Sequence, residues 1–182
     1  MWIIAGTLLV VAVALVASMY NGLVRVRILC DNAWADIDVQ LKRRYDLIPG
    51  VVEAVKGYAG HEKQTLETVV NARARAMSAQ GPAARADAEN VLADALRQLF
   101  ALAENYPQLR AVETFASLQT TLGQLEDTIQ SARRYYNAVV RDLNTKIAVF
   151  PSNVVAGIFA FTARDYFEVP DAVQREAPKV AF

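Results

Sequence analysis

The chain opens on a long uncharged stretch. Between Trp2 and Val24 there is no acidic or basic side chain. A helix over these residues would be about 34 Å long, enough to cross the ~30 Å hydrocarbon core of a bilayer. Trp2 and Tyr20 stand near its ends, where aromatic rings favour the membrane interface. A cleaved signal peptide would need a basic start and a shorter apolar centre. The pattern therefore predicts an uncleaved, single-pass transmembrane anchor over residues 1–24.

Beyond the anchor, apolar residues recur at steps of three or four, the spacing of one helical face. A first stripe runs from Ile37 to Met77 and passes Pro49. Two interpretations fit this proline: one kinked helix, or a new helix capped by Asp46 with Pro49 in its first turn.

The second half of the chain continues the helical pattern. Gly81-Pro82 marks a turn, and a shorter helix follows and ends near Pro107. A second stripe runs from Phe115 to Ile147, which predicts a long amphipathic helix that Pro151 stops. No stretch alternates as a strand does. The predicted fold class is all-α, with an N-terminal transmembrane helix followed by an antiparallel helical bundle of long, coiled-coil-like helices over residues 25–167. Residues 168–182 are predicted to form a loosely ordered tail.

A second uncharged run covers residues 147–163. Ser152 is predicted to cap a short helix here. The apolar side chains of that helix spread around its circumference, so a bundle wall can cover only part of them. Core burial is one interpretation, with Tyr166 and Phe167 as a further cover; the bilayer surface and a neighbouring protomer are the others. We predict an interface segment composed of Val154, Val155, Ile158, Phe159 and Phe161.

The anchor also carries a pattern of small residues. Ala14, Ser18 and Gly22 repeat at four-residue spacing. Small side chains let two membrane helices approach closely, where lipid provides no hydrophobic drive for association. These three residues are predicted to form a helix-association face.

Charge narrows the possible partners and the orientation. Lys and Arg together number 19, as do Asp and Glu, so no basic surface indicates nucleic acid. Arg25 and Arg27 directly follow the apolar span, whereas no basic side chain precedes it. The positive-inside rule therefore places the C-terminal domain in the cytoplasm and the N-terminus outside.

Residues that could carry chemistry are few. His61 is the only histidine, and position 65 is Thr, so the HExxH zinc pattern is incomplete. Tyr58 stands where a di-iron bundle would need Glu. Cys30 is the only cysteine and is predicted to be a buried, small apolar residue. We predict no catalytic, cofactor-binding or metal-binding residues, and hence no enzyme.

Long segments resemble the LemA family. The two signature blocks are AWADIDVQLKRRYDLIPGVVEAVKGYAGHE at residues 33–62 and ARRYYNAVVRDLNTKIAVFPSNVVAGIFAF at residues 132–161. The shorter blocks YNGLV, YPQL and YFEV are similar to the family's blocks that lie between and beyond the two signature blocks. The resemblance implies a bacterial membrane protein with a short N-terminal tail and a helical-bundle domain. Some members of the family take part in building magnetosome membranes, and none supplies catalytic residues that could be transferred here.

The pattern and the resemblance together predict a function. We expect a non-catalytic, membrane-anchored scaffold in the bacterial inner membrane that self-assembles or organises an envelope or membrane-associated complex. Its expected partners are the lipid bilayer, further copies of the chain and another membrane or envelope protein. The alternative is an adaptor that presents a client to a membrane enzyme.

Overall fold

The computed structural model describes residues 1–168 and is all-α there, with no strand, as predicted. The predicted tail falls almost wholly on residues 169–182, which lie outside the described part. The helices in order are α1 (Trp2–Lys56), α2 (Lys63–Ser78), α3 (Pro82–Ala103), α4 (Pro107–Arg110), α5 (Glu113–Ala148) and α6 (Ser152–Ile158). Two compact units result. One combines residues 1–47 with 119–166, and the other contains residues 48–118 together with Phe167 and Glu168.

Helix α1 is a single uninterrupted helix from the apolar start to Lys56. Pro49 lies inside it on the exposed side, so the interpretation with one continuous helix is the correct one. The helix ends instead at Lys56, and residues 57–62 form a loop before α2. Two glycines, Gly57 and Gly60, lower the helix propensity of this stretch. The break was not predicted because the three-and-four spacing continues across it.

The break also changes which residues of the first stripe are buried. Met77 is 49% exposed, and Ala76 takes the buried position in its place. Before the break, α1 itself buries Val51 fully and Val52 only partly. Leu66 and Val69 of the stripe are buried on α2, so its buried face departs from the predicted one only toward the end of that helix.

In the first unit α1 and α5 pack as antiparallel neighbours. The rings of Trp34 and Tyr136 lie 5.5 Å apart, and ten residues further along α1 Arg44 pairs with Glu126, ten residues earlier on α5. This opposite progression defines the antiparallel direction. The core between the helices is built from buried side chains at helical spacing, namely Cys30, Ile37, Leu41, Tyr136, Val140 and Leu143.

The second unit is organised around the pair of α2 and α3, which are joined by a tight turn. Gly81 caps α3 with φ 79° and ψ 163°, a conformation that is essentially restricted to glycine. Pro82 follows in the first turn of the helix, where its missing N–H has no helical partner to lose. Small residues such as Ala72, Ala76 and Ala88 are buried along these two helices and permit close packing.

Candidate functional site

The segment after α5 forms a compact turn and returns along α1. α5 ends at Ala148, and the short helix α6 begins at Ser152. Ser152 does not cap α6 as predicted, because Pro151 occupies the cap position. The Ser152 hydroxyl lies 2.7 Å from the carbonyl oxygen of Lys146 and 3.0 Å from that of Val149. It therefore offers a hydrogen bond to the Lys146 carbonyl in the last turn of α5. The Val149 carbonyl also accepts from the backbone N–H of Asn153 at 2.8 Å.

An aromatic cluster joins the end of α6 to the upper part of the apolar stretch of α1. The ring of Phe159 lies 4.7 Å from that of Tyr20, and Phe161 lies 5.9 Å from the same ring in an edge-to-face arrangement. The Arg27 guanidinium stands 5.2 Å above the Phe161 ring, within cation–π range. The tilted arrangement of Phe159 on Tyr20 and the edge-to-face arrangement of Phe161 are both favourable for aromatic pairs. The cluster therefore holds the segment against α1.

Polar contacts hold the chain that follows the cluster. The Asn144 side chain donates to the carbonyl oxygen of Arg164 at 3.0 Å and accepts from its backbone N–H at 2.9 Å. The Arg164 guanidinium pairs with Asp31 on α1 at 2.6 Å. The Tyr136 hydroxyl donates to the carbonyl oxygen of Asp165 at 3.0 Å. These bonds fix an extended segment, which has no helical hydrogen bonds of its own.

Burial shifts the acidity of two groups in this region. Desolvation raises the pKa of Tyr136 to about 12, against the opposing effect of the nearby Arg164 charge. Desolvation likewise raises the pKa of the Cys30 thiol, and Arg164 again acts in the opposite direction. Neutral forms are therefore favoured, and Cys30 is fully buried. A protonated, inaccessible thiol is a packing residue and not a nucleophile.

Apolar surface remains uncovered around α6. Phe150 is 80% exposed and Ile158 is 71% exposed, and Val149, Val154 and Phe159 are each about half exposed. Beside them an open groove of about 630 Å³ is lined by Ala12, Val13, Val16, Ala17, Tyr20 and Phe159. The groove continues the apolar surface of α1, the one helix in residues 1–168 long and apolar enough to cross a membrane.

The structure separates the predicted interface segment into two groups. Val155 is buried and forms the docked side of α6, whereas Val154, Ile158 and Phe159 present exposed surface. Phe161 is partly covered by the aromatic cluster. The predicted segment omitted Phe150, the most exposed large apolar residue of the uncharged run. It also omitted Tyr20, on which Phe159 packs. The signal for Phe150 was its place inside the uncharged run next to Pro151.

The predicted helix-association face is less uniform. Ala14 and Ser18 are exposed. Gly22 is half-buried, and the Nζ atom of Lys146 lies 3.9 Å from where its Cβ would stand. The role of this face in association stays a prediction.

Metal-binding geometry is not found in the described residues. His61 is exposed in the loop between α1 and α2. Within residues 1–168 no three His, Cys, Asp or Glu side chains are grouped so that they could hold a metal ion.

Two magnetosome proteins are similar in sequence to part of this chain. The chain is 35% identical over 81 residues to the magnetosome protein MamQ 2 of Paramagnetospirillum magneticum, covering 44% of this chain and 30% of that protein. It is 32% identical over 80 residues to the magnetosome protein MamQ of Magnetospirillum gryphiswaldense, covering 44% and 29% of the two chains. The chain thus spans less than a third of the length of these relatives.

A longer match connects the chain to a different relative. It is 27% identical over 140 residues to protein LemA of Metamycoplasma hominis, covering 75% of this chain and 63% of that protein. The model of the LemA family matches residues 33–182, which include α6, the aromatic cluster from Phe159 onward and most of α1 after the apolar stretch. Because the match extends over most of the chain, this protein belongs to the LemA family.

Proposed function

We propose that the chain is a membrane-anchored, non-catalytic scaffold that self-assembles or organises a membrane-associated complex in the bacterial envelope. The observation that carries this proposal is the continuity of α1, which runs without a break from the apolar stretch into the bundle core. A flexible tether would be enough to localise an enzyme. An unbroken helix instead joins residues 25–47 directly to the apolar stretch, which favours side-by-side assembly of anchored copies.

The position of the small-residue face supports self-association. Ala14 precedes Leu23 by nine residues, about two and a half helical turns, so the two lie on opposite sides of α1. Leu23 is 1% exposed and marks the side on which α1 packs within its own chain. Ala14 and Ser18 therefore point away from that side, toward lipid or a second anchor helix.

The polar contacts around the site support a non-catalytic role. The pairs of Arg164 with Asp31 and of Asn144 with Arg164 satisfy each other and hold an extended segment in place. A catalytic site needs convergent polar groups that face a substrate-sized cavity. The groove beside Phe159 is lined almost entirely by apolar side chains.

The relatives add support for a membrane-associated complex. The MamQ proteins are named as magnetosome proteins. We infer that this chain likewise works as part of a membrane-associated complex, although it matches less than a third of their length.

Self-assembly is tested by filling the small-residue face of the full chain in lipid vesicles. Ala14→Leu, Ser18→Leu and Gly22→Leu together should lower the crosslinked oligomer fraction several-fold, because the added side chains keep the helices apart. Ala5→Leu is the matched control, since Ala5 lies about two and a half turns before Ala14 and so on the opposite side. It should leave the oligomer fraction unchanged.

Two results would contradict this proposal. Equal losses in the triple variant and in the control would mean that the face has no specific role. A chain that stays monomeric at every lipid-to-protein ratio would eliminate self-assembly and favour the adaptor alternative. Crosslinking in cells followed by mass spectrometry would then identify the client.

A further inference from the structure

The aromatic cluster fixes the depth of α6 relative to the anchor. Tyr20 lies five residues before Arg25, the first charged residue after the apolar stretch, which is about 7 to 8 Å along the helix. Phe159 packs on Tyr20, and the groove beside it reaches down to Ala12. The end of α6 therefore lies against the apolar part of α1, and Phe161 just after it reaches the first charged residues through Arg27.

Positive side chains mark a boundary just above this level. Arg25 and Arg27 follow the apolar stretch on α1. Lys146, the last charged residue before the uncharged run, places its Nζ close to Gly22. Arg164 is the first charged residue after that run and pairs with Asp31. Lys146 and Arg25 thus flank the end of the apolar stretch of α1, whereas Arg164 stands further along α1, at Asp31. From Val24 back to Trp2 the helix carries no charged side chain.

The uncharged side of this boundary carries the exposed apolar side chains of the α6 region. Phe150 and Ile158 are the most exposed, and Val154 is half exposed. Amphipathic segments that lie in a membrane interface bury their apolar face about 5 to 10 Å below the headgroups. The depth of Phe159 below Arg25 agrees with this range.

We propose that residues 149–161 insert into the interface of the leaflet next to the bundle and form a second membrane contact beside the anchor. Phe150, Val154 and Ile158 enter the acyl region, a lipid chain lies in the groove between α1 and Phe159, and Arg25, Arg27 and Lys146 contact anionic headgroups. Lipid fits this surface because the apolar area continues that of the anchor and ends near the positive side chains of Arg25, Arg27 and Lys146. The inference rests on the membrane anchor of the proposed function, but not on self-association.

Site-directed spin labelling of the full chain in vesicles of neutral and anionic phospholipids tests this contact. Nitroxides are placed at Phe150→Cys and Ile158→Cys in a Cys30→Ser background. Leu15→Cys, in the apolar stretch, is the lipid control. Val39→Cys is the aqueous control, because this half-exposed residue lies about 21 Å beyond Arg25 on α1. Collision rates with oxygen, which partitions into lipid, and with a water-soluble nickel chelate are measured at each label.

The labels at positions 150 and 158 should behave like the label at 15, with oxygen collisions exceeding nickel collisions several-fold, and the label at 39 should show the opposite preference. Both target residues are exposed, so labelling removes no packing, and circular dichroism should match that of the Cys30→Ser chain. Labels at 150 and 158 that behave like the one at 39 would overturn the second contact while leaving the anchor intact. Protection from both reagents would mean a protein cover and would overturn the lipid assignment. An aqueous label at 15 would overturn the anchor, and the proposed function with it.

Discussion

At the scale of single residues, burial determines how strongly a charged pair affects the stability of the fold. Arg44 and Glu126 form an ion pair at 2.9 Å in which the arginine side chain is only 7% exposed. Arg97 and Asp94 form a pair of the same length on the surface of α3, with side chains 77% and 61% exposed. A buried guanidinium has lost its hydration, so it depends on its protein partners, whereas an exposed one regains water.

This contrast predicts different effects of removing the carboxylate. Glu126→Ala should lower the free energy of unfolding by about 1–3 kcal/mol, because it removes a charged hydrogen-bond partner of a buried group. Asp94→Ala is the matched control and should change it by less than about 1 kcal/mol. Urea unfolding of the full chain in mild detergent measures both. Equal changes in the unfolding free energy would mean that burial of Arg44 does not increase the contribution of its ion pair.

Tyr136 gives the structure a specific sensitivity to alkaline pH. Its hydroxyl is buried and donates to Asp165, and its pKa is raised to about 12 from an ordinary value of 10.0. The folded state therefore holds this proton more tightly than the unfolded state does. The resulting stabilisation is complete below pH 10 and is lost as the pH rises from 10 to 12.

Tyr136→Phe should remove this part of the pH dependence. Between pH 10 and 12 the wild-type chain should lose about 2–3 kcal/mol more unfolding free energy than the variant, which follows from a shift of two pKa units. Below pH 10 the variant should be less stable by about 1 kcal/mol through the lost hydrogen bond. Tyr135→Phe on the exposed face of α5 is the control and should follow the wild type. A Tyr136→Phe chain with the wild-type alkaline slope would contradict the assignment.

At the scale of elements, glycines have opposite effects according to the backbone they occupy. Gly81 adopts a positive φ at the start of α3, which a side chain makes strained. Gly123 lies in the middle of α5 with no atom within 4 Å of its would-be Cβ. The first glycine is needed by the turn, and the second only weakens its helix.

The same substitution should therefore change stability in opposite directions. Gly81→Ala should lower the unfolding free energy by about 1–3 kcal/mol, because alanine is strained in this region of the backbone map. Gly123→Ala should raise it by about 0.5–1 kcal/mol through better helix propensity. Thermal unfolding followed by circular dichroism measures both, and a loss in both variants would contradict the explanation from backbone conformation.

At the scale of the whole molecule, the distribution of arginines determines the expected orientation. Arg25 and Arg27 follow the apolar stretch, so we propose that the domain after it faces the cytoplasm. Met77→Cys in a Cys30→Ser background provides an exposed thiol on α2. It should react with an impermeant maleimide only after spheroplasts are permeabilised. Trp2→Cys should react in intact spheroplasts, and the reverse pattern would contradict the orientation.

Much of the fold could be predicted because helix formation leaves a local signature. The stripe from Phe115 to Ile147 predicted α5 closely, since a helix with one buried face repeats its apolar residues every 3.6 positions. The Gly81-Pro82 turn and the membrane-length apolar stretch are likewise local properties of the chain. The motifs of the LemA family extended these predictions to the whole bundle.

The sequence by itself determined the all-α class, the extent of α5 and the apolar stretch of the anchor, because these follow from residue spacing and composition. Only the tertiary structure decided that α1 stops at Lys56, that Ser152 turns back to α5, and that Phe159 packs on Tyr20. Each of these depends on partners distant in the chain or on a choice between two allowed local geometries. Spacing along a chain specifies which face of a helix is apolar, but contacts across the fold decide what covers that face and what stays exposed.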